Sequence, residues 1–116
     1  MVMGAASQNL NLDGIWIIDA QGKTVYANES MAQILHTTTA DLIGKDSFAH
    51  VFDEDIPEAQ RLFATKEAGS TAPFHFKLRC ADGSAVGVDV QGTPLKNAAG
   101  AFIGIVGTFT VSTKQG

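Results

Sequence analysis

The chain has 116 residues, 45% hydrophobic and 17% charged, which is enough for one hydrophobic core and too little for two. A net charge of −4 with no local cluster of Lys or Arg argues against nonspecific nucleic-acid binding. One cysteine excludes an internal disulfide and fits a reducing compartment. No apolar run reaches the roughly 18 residues of a membrane helix and the opening residues lack a signal peptide's pattern, so a cytoplasmic location is expected.

Residues 1–12 are read as an N-terminal flank, small and polar at its start. The stretch from Asp13 to Asn28 comes next and organises the rest. Ile15 to Ile18 form an unbroken β-branched and aromatic run, as in a central strand covered on both faces. Asp19 and Gly22 bracket a turn, and Thr24 to Ala27 return as the partner strand. Asn28 is placed to cap a helix whose Met31, Ile34 and Leu35 share helical spacing.

That helix ends about His36. Thr38 to Asp41 has the form of a capping box for one further turn, stopped by Gly44, and Ser47 is expected to cap another turn over Phe48 to Phe52. Asp55 and Glu58 repeat the capping pattern for a longer helix to about Ala68, with Pro57 in its first turn and Gly69 past its end. Ile56, Ala59, Leu62 and Phe63 form its buried face.

The second half reads as β. Phe74, Phe76 and Leu78 alternate with His75, Lys77 and Arg79, and after the turn at Asp82-Gly83, Val86, Val88 and Val90 alternate with Gly87, Asp89 and Gln91. Pro94 is expected to end that strand, and a turn over Lys96 to Gly100 leads to the last one, Ala101 to Val111. Its two apolar faces place it in the sheet centre beside Ile15 to Ile18. Two strands, a helical stretch and three strands predict an α+β domain, an antiparallel sheet with helices on one face.

The stretch Asp13 to Ser30, followed by Asp41-Leu42-Ile43-Gly44-Lys45, Asp53-Glu54-Asp55, Asp82-Gly83 and Thr93-Pro94, resembles a PAS domain, the small sensory module of signalling proteins. The resemblance runs to about Val111, so residues 13–111 are read as the domain and 112–116 as a linker. It implies a five-stranded sheet in the order 2-1-5-4-3, cupped by the helices of residues 29–68. It also implies a short helical turn at residues 9–12 with Leu10 and Leu12 over the sheet. The family often carries Gly where His36 stands, a position that strains a residue with a Cβ.

Combined with the alternation, the resemblance implies a cavity between sheet and helices. Its expected ligand-facing residues are Trp16, Ile18, Asn28, Leu42, Phe48, Phe52, Phe63, Phe76, Leu78, Val88, Val90, Gly104 and Val106, with Phe74 and Phe102 on the same face. Each of these also reads as ordinary core, the default for a buried apolar side chain. Trp16 carries the decision: its indole fills the space or walls it, and its N–H needs an acceptor. A small or collapsed apolar pocket is expected.

Cofactors are tested residue by residue. A flavin-adduct cysteine would sit in the helical region, where there is none, and Cys80 lies at a strand end. A haem-ligating histidine would sit on the long helix, and residues 55–68 contain none. His36, His50 and His75 show no metal-ligand spacing with each other or with Cys80. His75 and Cys80 project to opposite faces of one strand, and no other nucleophile–base pair is evident, so no metal site and no enzyme activity are expected.

The other sheet face collects Leu10, Ile15, Ile17, Ile103, Ile105 and Phe109, with Val25, more apolar surface than water tolerates well. A homodimer through this face is expected. Many PAS domains end in Asp-Ile-Thr before a signalling helix; Thr110-Val111-Ser112 stands there without the acid. The functional expectation is a sensory domain from a larger bacterial-type signalling protein, sensing a small apolar ligand and relaying it through a dimer to a kinase, cyclase or transcription regulator. The alternative is a ligand-free PAS module for dimerisation.

Overall fold

The computed structural model describes residues 13–112. Strands β1 (Gly14–Asp19), β2 (Thr24–Ala27), β3 (Phe74–Arg79), β4 (Ala85–Lys96) and β5 (Phe102–Val111) form one antiparallel sheet in the order β2-β1-β5-β4-β3. Between β2 and β3 lie three helices, α1 (Glu29–Ile34), α2 (Thr39–Leu42) and α3 (Ile56–Glu67), with 3-10 turns at Ser47–His50 and Asp53–Asp55. This is the architecture and strand order expected from the sequence. Leu10 and the turn expected at residues 9–12 lie outside the described residues.

Local chemistry accounts for the opening hairpin. Asp19 Oδ1 accepts from the amides of Gln21 and Lys23, both at 2.9 Å, and Gly22 supplies the positive φ of +86°. Asn28 then stitches three segments together. Its Oδ1 accepts from the Met31 amide, capping α1, and from the Ile15 amide of β1, each at 2.9 Å, while Nδ2 donates to the Asp13 carbonyl at 3.1 Å. Asn28 is therefore a framework residue and does not face the cavity.

Beyond the cap, Met31, Ala32, Leu35 and Leu42 are buried against Trp16, Leu78, Val88 and Val90, forming the core between the first helices and the sheet. His36 ends the α1 segment at φ +59°, the left-handed region, with its Nδ1 2.9 Å from Asp82 Oδ2. Thr38 Oγ1 accepts from the Asp41 amide as the capping box predicts, but the Asp41 carboxylate is taken by the Thr37 hydroxyl at 3.3 Å. Two other expected caps differ. Asp46, not Ser47, caps the first 3-10 turn, by accepting from the Phe48 amide. Asp55 precedes α3 without a side-chain cap bond, its carboxylate lying 3.5 Å from the Lys77 ammonium.

Strand β4 does not stop at Pro94, which pairs with Ile105 inside the strand. Pairing with β3 reaches only Val90, so from Gln91 onward β4 is a sheet edge, where a missing N–H costs little. The larger correction concerns β5. Lys96 pairs with Phe102 and Leu95 with Gly104, so Ile103 is an extra residue and the period-2 pattern slips there. Phe102 faces the helices as alternation predicts, but beyond Ile103 it is Ile105, Gly107 and Phe109 that face them. Val106 pairs with Ile17 and turns to the opposite face, with Gly104 on the same alternation.

Asn28→Ala removes two accepted bonds and one donated bond and is expected to destabilise the fold by about 1–3 kcal/mol in urea unfolding. Asn28→Asp keeps both accepted bonds but sets a carboxylate oxygen against the Asp13 carbonyl, so its loss is expected to fall between wild type and Asn28→Ala.

Candidate ligand cavity

Between the concave sheet face, α3 and the Ser47–His50 turn lies a cavity of about 120 Å³. The sheet contributes Trp16, Ile18, Phe74, Phe76, Leu78, Val90, Gly92, Ile105, Gly107 and Phe109, and the helical side Ser47, Phe48, Val51, Ala59, Leu62, Phe63 and Lys66. Six of these residues, Trp16, Phe48, Phe63, Phe74, Phe76 and Phe109, are aromatic. Trp16 packs on Phe109 with ring centroids 5.6 Å apart, and Phe63 stands edge-to-face between Phe48 and Phe102, at 6.1 and 5.8 Å.

The Trp16 indole N–H donates to Thr24 Oγ1 at 2.8 Å, a bond shielded from water. This supplies the acceptor that the sequence required and holds the ring as a wall. The floor is open where Gly92 and Gly107 pair across β4 and β5. A Cβ on Gly92 would press on the Lys66 stem at 3.2 Å, and one on Gly107 would meet the Phe109 ring at 2.7 Å, so both side chains fold over bare backbone.

Two polar groups interrupt this apolar lining. Lys66, 3% exposed, donates from Nζ to the Ala72 carbonyl at 2.7 Å and lies 5.4 Å above the Phe74 ring, and burial lowers its pKa from the usual lysine value. Ser47 is 8% exposed, and its hydroxyl has no hydrogen-bond partner among the described residues. Asp46 has taken the capping role expected of it.

Of the residues expected at a cavity, Trp16, Ile18, Phe48, Phe63, Phe76, Leu78 and Val90 line this one. Leu42 and Val88 are fully buried in the adjoining core. Phe52 sits to one side with the Lys77 ammonium 4.9 Å from its ring. Asn28 is the cap, while Gly104 and Val106 lie on the far face for the reason given by the bulge. Ile105 and Phe109, expected on the far face, line the cavity. Sequence reasoning also missed Lys66, although its spacing from Ala59 and Phe63 continues the buried stripe of α3. A lysine is normally assigned to solvent.

On the far face, Ile15 and Ile17 are half-buried beside Thr108 and Val106, and Ile17 pairs with Tyr26, which is 47% exposed. Ile103, at the bulge, is 46% exposed, and Val25, at the β1–β2 irregularity, is 52% exposed. The fold also joins groups that sequence spacing kept apart: His36, Cys80 and Asp82 offer metal-ligand atoms within 4.8 Å of one another. The Cys80 thiol there donates to the Ile34 carbonyl at 3.3 Å, and His36 pairs with Asp82, whose carboxyl is held well below its usual range chiefly by the Ser84 hydroxyl and amide.

The family model described as PAS fold matches residues 5–111. The chain belongs to the PAS family. Similar solved structures include the PAS-B domain of Drosophila melanogaster Cycle with bound ethylene glycol, at 16% identity and TM-score 0.74, covering 85% of this chain and 99% of that one. A PAS domain from Colwellia psychrerythraea aligns at 17% identity and TM-score 0.76, covering 89% and 88%. A sensory box histidine kinase/response regulator from Burkholderia thailandensis aligns at 20% identity and TM-score 0.68, covering 87% and 77%. At these identities the likeness shows the fold. Comparison with curated proteins finds no match.

His50 is expected to give this PAS domain a pH dependence. Its ring meets the Trp16 edge at 5.8 Å and its Nδ1 lies 3.2 Å from the Arg79 carbonyl. Burial outweighs that bond and lowers its pKa below 6.5. The unfolded chain therefore takes up a proton near pH 6.5 that the folded chain resists, and stability is expected to fall as pH drops from 6.5 toward the lower folded value. Urea unfolding between pH 7.5 and 5 checks this, with His50→Asn expected to flatten the slope.

Proposed function

We propose that this PAS domain is a non-catalytic sensor within a larger signalling protein, where a small molecule in the cavity changes the packing of β5 and a dimer relays the change. The observation that carries the reading is the double duty of one strand. Ile105, Gly107 and Phe109 of β5 line the cavity, while Val106 and Thr108 between them face the other side of the sheet. A ligand that displaces Phe109 acts on the same backbone that presents Val106. Such a ligand shifts the domain only in so far as it binds one packing better than the other.

The far face suits a second copy of the chain. Ile15, Ile17, Tyr26 and Val106 form an apolar patch on adjacent strands, and pairing two such patches removes both from water. The strand leads into Ser112, whose amide donates to the Gly87 carbonyl of β4 at 2.9 Å, and the proposed relay runs from β5 through this strand end. A kinase, cyclase or transcription regulator is the proposed recipient, in a cytoplasmic and bacterial-type system. No helix among the described residues is long and apolar enough to cross a membrane. The signalling names of structural neighbours and the ethylene glycol bound in one of them support this direction.

Two variants test the reading. Ile105→Trp is expected to fill the cavity and abolish small-molecule binding, whereas Val106→Trp on the opposite face is expected to leave binding intact; calorimetry or native mass spectrometry distinguishes them. A cavity that takes up nothing would instead favour the ligand-free interaction module. Ile17→Glu is expected to convert a sedimenting dimer to monomer, and a wild-type protein monomeric at high concentration would remove the relay from the mechanism.

A further inference from the structure

Lys66 is the group that the apolar account of the cavity leaves unexplained. Its side chain is almost wholly buried, and its stem crosses Gly92 on the cavity floor. The ammonium has three N–H donors and, among the described residues, one acceptor, the Ala72 carbonyl. No carboxylate lies within ion-pair distance of it among the described residues. Buried charges are normally paired, because desolvation otherwise costs several kcal/mol. The nearby Phe74 ring offers only its face, and Ser47 adds a second buried polar group, without a partner, to the same lining.

We propose that the cavity binds a small organic monocarboxylate, with the carboxylate on the Lys66 ammonium and an apolar body against Phe63, Phe74 and Phe109. The inference rests on the sensory reading and names its ligand class. An anion would give the buried ammonium its missing counter-charge, through a charge-assisted hydrogen bond in surroundings of low polarity. Size limits the body. An engineered apolar cavity of about 150 Å³ in another protein holds benzene, so the smaller cavity of about 120 Å³ here limits the body to at most a single ring or a short branched chain. The dicarboxylates fit poorly, because among the described residues Lys66 is the only cationic group lining the cavity.

The test is a titration of the whole chain with benzoate and with benzyl alcohol, a neutral molecule of nearly the same shape, followed by NMR at the Trp16 indole N–H. Benzoate is expected to bind the wild type about tenfold or more tightly than benzyl alcohol, the scale of one hydrogen bond to a charged group. Lys66→Met is expected to erase that preference while leaving benzyl alcohol binding. Because the variant removes a buried group, its folding is checked by thermal unfolding. A readout on the wild type stands beside it: the Lys66 Nζ resonance is expected to move with benzoate well beyond the ring-current shift that benzyl alcohol also produces. Equal affinities in the wild type, a preference that survives Lys66→Met, or a Lys66 Nζ resonance moved no further by benzoate than by benzyl alcohol would overturn the carboxylate assignment and leave the sensory reading standing. If neither probe shifts Trp16, both fall together.

Discussion

One extra residue on β5, Ile103, decides which side chains of the last strand meet the helices. The strand is apolar on both faces, so hydrophobicity alone does not choose between its two settings. Cross-strand pairing does: Gly107 lies opposite Trp16 and Ile105 opposite Ile18, which puts Ile105, Gly107 and Phe109 on the face that Trp16 and Ile18 already occupy. The cavity, the far face and the proposed coupling between them all depend on this register.

The same constraint links packing to electrostatics. With Gly92 and Gly107 paired in mid-sheet, the floor carries no side chain there, and Phe109 and the Lys66 stem fold over the gap from different elements. Trp16 is held from the other side by Thr24, so the cavity has one aromatic wall fixed by a hydrogen bond, while its phenylalanine walls are set by contact alone. A fixed indole beside a Phe109 held only by packing suggests where a bound molecule would cause movement. The buried ammonium adds polarity to that region without a counter-charge among the described residues, a different situation from the exposed pair Glu58–Arg61, which solvent screens.

Where local chemistry was decisive, the sequence was legible. The Asp19–Gly22 turn, the Asn28 cap and the Thr38 cap follow from residues within a few positions of one another, and the left-handed ending at His36 from the resemblance to PAS domains. The strands β3 and β4 were also readable, because their faces differ clearly in polarity. Roles that depend on distant partners were less so. Asn28 looked available to a ligand until its remaining bonds reached β1, and Pro94 looked like a strand end until β3 proved too short to flank it. Asp46 displaced Ser47 as a cap by a single position, which changed the meaning of the serine.

The sequence by itself determined an α+β domain and most of the sheet residues around the cavity, because alternation, turn residues and caps are short-range signals, and its resemblance to PAS domains supplied the strand order. Only the tertiary structure decided the facing of β5 beyond Ile103, the burial of Lys66 and the meeting of His36, Cys80 and Asp82. Each depends on what lies across a strand pair or beneath a helix. Linear spacing carries no record of those neighbours, and a strand apolar on both faces or a lysine on a helical stripe takes its role from them.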